Sequence, residues 1–178
     1  TVTLTRQLHV TLGLKLENDP FSGLAVLQKL RASYTPTDDV MLWAAVSRAV
    51  RSPTPFDTDV IEKVGGVTFL TGNKQFDPID LTAYEAGVRT QIGARASLSA
   101  SIYYNVYDNI RSIEITPVTF TPLHWGNGIK GDTYGLEAWA DYKATDWWRL
   151  GGGLNLMGEK FRFTPWTSRI LGTSQVGD

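Results

Sequence analysis

The stretch Val2-Thr3-Leu4-Thr5-Arg6-Gln7-Leu8-His9-Val10-Thr11-Leu12-Gly13-Leu14-Lys15-Leu16-Glu17 decides how the rest of the chain reads. Val2, Leu4, Leu8, Val10, Leu12, Leu14 and Leu16 share one parity, broken only by Arg6. Thr3, Thr5, Gln7, His9, Thr11, Gly13, Lys15 and Glu17 share the other. Successive side chains of a β-strand point to opposite faces, so the pattern is one apolar and one polar face. Taken as a single strand from Val2 to Glu17 it spans roughly 50 Å, far beyond the usual strand of about five or six residues.

The same alternation recurs outward from this segment. Further strands are expected over Leu24–Thr35, Val40–Arg51, Leu81–Gln91, Ala96–Ile115, Leu123–Tyr142 and Trp147–Phe163. Leu98, Ala100, Ile102, Tyr104 and Val106 alternate with Ser97, Ser99, Ser101, Tyr103 and Asn105; Tyr134, Leu136, Ala138 and Ala140 oppose Gly135, Glu137 and Asp141. No segment carries a helical period. The connections alternate in size. Pro36-Thr37-Asp38-Asp39, Ile92-Gly93-Ala94 and Ala144-Thr145-Asp146 are tight turns of turn-forming residues. Asn18–Gly23, Ser52–Asp80, Thr116–Pro122 and the tail from Thr164 are longer.

Long strands joined alternately by short and long connections are the pattern of an outer-membrane barrel, with short periplasmic turns and longer extracellular loops. The first, third, fifth and seventh strands then run outward. Such a strand needs only about ten residues and hides its signal in alternation, so the absence of a run of roughly 20 apolar residues does not argue against a membrane. Tyr34, Trp43, Tyr142, Trp147 and Trp148 flank the tight turns, and Tyr103, Tyr104, Tyr107 and Trp125 lie toward the other end. Both sets suit lipid–water interfaces. The chain starts inside a strand pattern without a leader, and Gln175-Val176-Gly177-Asp178 has loop composition; both ends read as those of a fragment.

Composition narrows the function. The chain has 178 residues, with 17 Lys and Arg against 18 Asp and Glu, so no basic field invites nucleic acid. It has no cysteine, which removes disulfides, thiolate metal sites and a cysteine nucleophile. His9 and His124 are the only histidines, and neither has a partner at metal-ligand spacing. There is no Gly-x-Ser-x-Gly element, and Gly151-Gly152-Gly153 precedes no helix, so neither a serine nucleophile nor a phosphate loop is indicated. Asp57, Asp59, Glu62, Asp77 and Asp80 are read as solvated loop charge in preference to a cation site. No catalytic residue, cofactor or metal is expected.

Several stretches resemble the barrel of the TonB-dependent outer-membrane receptors. Ser47-Arg48-Ala49-Val50-Arg51-Ser52-Pro53-Thr54-Pro55-Phe56 is similar to the element where a strand enters a long extracellular loop. Gly72-Asn73, followed by Tyr84-Glu85-Ala86-Gly87-Val88-Arg89, is similar to a second, although Lys74 stands where proline is usual and Pro78-Ile79-Asp80 replaces Pro-Glu. Tyr104-Asn105-Val106-Tyr107-Asp108-Asn109-Ile110 is similar to a third, and Asn127 through Gly131 to Gly135-Leu136-Glu137 to a fourth. They occur in the family's order.

The resemblance implies an all-β fold: an antiparallel up-and-down meander of about seven long strands, 1–178 being part of a transmembrane barrel of about 22 strands. It implies uptake of a scarce ligand such as a ferric siderophore across the outer membrane of a Gram-negative bacterium. The drive would come from TonB acting on a plug domain that, with the C-terminal strands, is not in this stretch. Partners are then outer-membrane lipid, the plug and TonB of the parent protein, and a small-molecule chelate, with no nucleic acid.

Arg48, Pro53, Tyr84, Glu85, Gly87, Arg89, Asn105, Asp108, Gly135 and Glu137 are expected to serve the barrel itself. Glu85, Arg89 and Glu137 share the polar parity and can pair in the lumen, and Gly87 and Gly135 leave room for a close approach. Candidate ligand contacts, by position on loops or at their bases, are Phe56, Phe69, Tyr103, Tyr107 and Trp125, with Arg51 as charge partner for an anionic chelate. The competing readings are a passive porin-like channel, a small complete barrel, a soluble carbohydrate-binding module and an outer-membrane enzyme.

Overall fold

The computed structural model describes residues 1–169 and 172–177; Asp178, included in the loop reading of the last four residues, lies outside them. Alternation does set the architecture. Seven long strands, β2 (Leu8–Asp19), β3 (Gly23–Thr37), β4 (Val40–Arg51), β7 (Ile79–Ile92), β8 (Ala96–Glu114), β9 (Leu123–Lys143) and β10 (Arg149–Phe163), pair antiparallel with their neighbours along the chain. Three short strands, β1 (Val2–Thr3), β5 (Ile61–Val64) and β6 (Val67–Thr71), complete one open ten-stranded sheet. Among the described residues no helix is long and apolar enough to cross a membrane.

Two connections differ from the expectation. The first strand starts at Leu8, because Thr5 Oγ accepts the N–H groups of Gln7 and Leu8 and turns the chain there. Val2 and Thr3 then fold back on Val10 and His9 as β1. Arg6, the one break in apolar parity, marks this turn. The 52–80 connection is structured. It holds the one-turn helix α1 (Pro55–Thr58) and the β5–β6 hairpin, whose Gly65 and Gly66 take φ of 60° and 84°. The hairpin joins β9 in parallel through Leu70↔Leu123 and Thr71↔His124.

Cross-strand partners lie on one face, so the register turns sequence parity into rows. Tyr34, Leu42, Val88, Ala100, Ala138 and Leu154 form one row across six strands. The next is Ala32, Ala44, Ala86, Ile102, Leu136 and Leu156; the next is Leu30, Val46, Tyr84, Tyr104, Tyr134 and Gly158. Two rows nearer the tight turns run Val40, Thr90, Leu98, Ala140 and Gly152, then Ile92, Ala96, Tyr142 and Leu150. Five rows cover about 26 Å along a strand, or about 20 Å of height at the usual tilt of roughly 40°, close to the apolar band of about 25 Å on a membrane barrel. The opposite face is polar: Ser33, Trp43, Gly87, Ser101, Glu137 and Asn155 form its corresponding row.

The aromatic belt is a correction. Trp43, Tyr103 and Tyr107 lie on the polar face, because their cross-strand partners are Gly87, Gly135 and Gly131. The belt on the apolar face at the loop side is Tyr84, Tyr104 and Tyr134, three neighbours in one row. At the turn side Trp147 stacks on Trp148 with centroids 6.3 Å apart. The polar-face aromatics instead cover glycines. A Cβ on Gly87 would lie 2.7 Å from the Trp43 ring, and one on Gly135 2.6 Å from Tyr103 Oη. Such aromatic–glycine pairs hold register across a sheet.

Candidate functional site

The loop-side end is where side chains converge. After β4 the chain turns at buried Pro53 into α1, which the Thr54-Pro55-Phe56-Asp57 sequence caps. Asp57 Oδ2 accepts from Thr54 N–H at 2.9 Å and from Thr54 Oγ at 2.8 Å. The same oxygen accepts from Arg51 Nη2 at 2.9 Å, and Oδ1 from Arg111 Nη1 at 3.1 Å. Asp57 is fully buried. Burial would raise its pKa, but the Thr54 N–H and hydroxyl, the Arg51 charge and the Arg111 hydrogen bond outweigh that and hold it below the ordinary carboxylate value.

Arg111 also stacks on two rings, its guanidinium carbon 4.6 Å from the Trp125 centroid and 5.4 Å from that of Phe56. The rings are themselves 5.6 Å apart. Two arginines of which about a third to a half remains exposed, and a half-exposed Phe56, thus share one surface over a buried carboxylate. The arrangement presents positive charge and flat apolar area to solvent. Among the described residues no group of three metal-ligating side chains forms.

Two neighbouring patches fix this cluster. Leu70, Phe76 and Trp125 form a small core under the loop, with Val60, Ile113 and Leu123 against it. Asn73 Nδ2 donates to Trp125 O at 3.0 Å, and Asn127 both donates to Asp77 O and accepts from Asp77 N–H. Glu114 Oε1 accepts from Ser112 Oγ at 2.5 Å, and Oε2 accepts from Ser168 N–H at 2.6 Å, which ties the 164–168 segment to β8. A Cβ on Gly128 would meet Glu114 Oε1 at 2.7 Å and Ser112 Oγ at 2.8 Å.

Of the residues proposed from sequence, Arg51, Phe56 and Trp125 come together here. Tyr107 lies below, in a polar-face hollow of about 500 Å³ that Arg51, Leu81, Ile110 and Phe161 also line; its ring meets Phe161 at 6.3 Å. Tyr103 lies deeper, opposite Glu85 and Gly135. Phe69 is not brought in: it is half-exposed on β6, and its neighbour Leu70 fills the core.

The remaining positions are spread along the sheet. Asn105 Nδ2 reaches Thr133 Oγ1 at 3.2 Å, and Asn155 reaches Glu137 at 3.5 Å. Glu85, Arg89 and Glu137 share the polar face without an ion pair among the described residues. Tyr84, Arg48 and Asp108 lie on the apolar-side parity, and Arg48 Nε donates to Asp80 at 2.9 Å.

Sequence reasoning missed Arg111 and the role of Asp57. Asp57, Asp59 and Asp80 are not free loop charges: they pair with Arg51 and Arg111, with Lys74 and with Arg48. A capping box at Thr54–Asp57 was legible. Arg111 was not, because Asn109, at φ 60°, sits in a bulge that shifts the parity of β8.

The family model for the TonB dependent receptor-like beta-barrel matches residues 1–175. The chain belongs to this family, whose barrels lie in the outer membrane. No curated protein matches the sequence. Solved structures share the fold. The siderophore receptor PirA of Pseudomonas aeruginosa superposes with a TM-score of 0.74 at 19% identity, over 89% of this chain and 33% of its own. A mutant of the ferric enterobactin receptor PfeA of the same organism, solved with enterobactin, gives 0.75 at 18%, over 89% and 26%. The ferric yersiniabactin uptake receptor FyuA of Yersinia pestis gives 0.55 at 21%, over 80% and 19%. The chain therefore spans a third or less of the length of these receptors.

Proposed function

We propose that this barrel segment belongs to an outer-membrane active transporter that captures a ferric-siderophore type of chelate and imports it when TonB acts on a plug inside the barrel. The observation that carries the reading is the Arg51–Asp57–Arg111 cluster with Phe56 and Trp125, set above the hollow of Tyr107 and Phe161. An anionic chelate with flat ligand groups gains charge-assisted hydrogen bonds from the arginines and stacking area from the rings. The siderophore receptors of similar fold support the choice of ligand class.

The test is uptake of radiolabelled ferric siderophores by cells carrying the intact receptor, with binding measured separately on purified protein. Arg111→Ala is expected to weaken binding roughly 10- to 100-fold, the loss of one charge-assisted contact. An uncoupler of the proton gradient is expected to stop uptake and leave binding intact. Non-saturable flux that ignores the uncoupler would instead mark a passive channel.

A further inference from the structure

The β5–β6 hairpin is an incomplete piece of sheet. β6 meets β9 through two residue pairs, Leu70↔Leu123 and Thr71↔His124, and among the described residues β5 pairs with β6 alone. All four residues of β5, Ile61–Val64, are exposed. Gly72 N–H donates to Val60 O at 2.7 Å, and peptide groups alternate along a strand, so those of Ile61 turn to the open side. Ile61, Val67 and Phe69 share the face opposite Leu70 and are exposed too. A two-stranded hairpin is marginal in water by itself, and a bare apolar edge is a template for another strand.

The register says what stands beside that edge. One side of β9 is held by β8. The other is held by β10 from Lys143 to Ile129, and by β6 at His124 and Leu123. β6 therefore stands end-on above β10 in the same strand position, and β5 stands one position further along the wall. β10 pairs only with β9 among the described residues, and a barrel leaves no edge open. The position beyond β10 thus belongs to the next strand of the parent barrel, antiparallel to β10. β5 runs in the direction of β10, since β5 is antiparallel to β6, β6 parallel to β9, and β9 antiparallel to β10. One strand can pair with both. From the level of Ile129 to that of His124 is five residues, about 17 Å. β9 covers that interval within its 21 residues, so a following strand of the same length reaches Ile61 and Glu62.

We infer that the free edge of β5 is the docking edge for the outward end of the barrel strand that follows β10. Main-chain hydrogen bonds join the two, and the hairpin becomes the middle of a sheet. The 52–80 connection leaves β4 and returns to β7, yet its far end is then fastened beyond β10. It is a strap across β7, β8 and β9 and not a loop free to swing, and Phe56 and Asp57 at its near end take their fixed placement from it. The inference rests on the closed barrel of the family and not on what the receptor imports.

The intact receptor in non-ionic detergent tests it, by hydrogen exchange read residue by residue with mass spectrometry. On an open edge alternate amides face water, so about half of those in 61–64 would exchange as fast as the Gly65–Gly66 tip; in a paired strand all are held. All four amides are expected to exchange at least about 100-fold more slowly than the tip. Exchange of Ile61 at the rate of the tip overturns the inference. A cross-link then identifies the strand. This stretch has no cysteine, so Ile61→Cys is combined with single cysteines stepped along the outward end of the strand after β10, and the pairs are oxidised. A disulfide is expected within one molecule, confined to one or two neighbouring positions. Folded variants that form none at any position overturn the inference, as do disulfides that join two molecules, which would make the occupant a second copy. Heat-modifiable gel mobility identifies the folded variants, and should none fold, the exchange of wild type decides.

Discussion

Asp57 illustrates what one carboxylate does at the loop end. It accepts from Thr54, Arg51 and Arg111 at once, so it caps α1, anchors the loop to β4 and fixes the guanidinium that stacks between Phe56 and Trp125. Its folded pKa lies below the unfolded value of about 3.9. The stabilisation is therefore complete above that value and is lost as pH falls through the folded pKa. Tryptophan emission and limited proteolysis of the intact receptor should report a closed loop from neutral pH down to about 4, with opening only below it. Asp57→Asn keeps the shape but removes the charge. It should weaken loop closure by about 2 kcal/mol, through loss of charge-assisted hydrogen bonds, and abolish the acid-dependent step. Gly128 makes a second case, since a Cβ there would run into Glu114 and Ser112. Gly128→Ala should expose the 164–168 segment to protease while leaving the membrane strands protected, which hydrogen exchange would resolve.

At the scale of the strand, parity separates two environments a few ångströms apart. Ile102 and Ser101 are neighbours on β8, yet Ile102 lies in the second of the five apolar rows from the loop side and Ser101 faces Gly87 and Glu137. Ile102→Lys should cost about 1–3 kcal/mol of folding free energy in lipid, and Ser101→Lys little. Folding titrations of the intact receptor into vesicles distinguish the two, and equal costs would show that the faces are misassigned. The cross-strand aromatic–glycine pairs act at the same scale. Gly87→Val would drive a side chain into the Trp43 ring and Ala100 O, and should lower the urea midpoint without changing ligand affinity, since Trp43 lies far down the sheet from Phe56 and Arg111.

For the whole molecule, the sheet is a tilted wall with chemistry concentrated at one rim. Its middle carries rows of mainly apolar residues on one face and a polar surface on the other. The loop-side rim gathers the buried acid, the arginines and the aromatic pair from α1, β4, β8 and β9.

The sequence alone determined the seven long strands, their order and the apolar side of each, because alternation is a local property repeated over several rows; it did not show the β5–β6 hairpin inside the long connection. It could not determine where the first strand begins, since a threonine hydroxyl closing a turn is invisible to parity. Nor could it find Arg111 or the burial of Asp57, which depend on a bulge in β8 and on a loop folding back some fifty residues along the chain. Phe56 and Trp125 were legible as aromatics near the rim, but their sharing of one arginine was decided by tertiary packing, where long-range contacts choose among side chains that local pattern leaves equivalent.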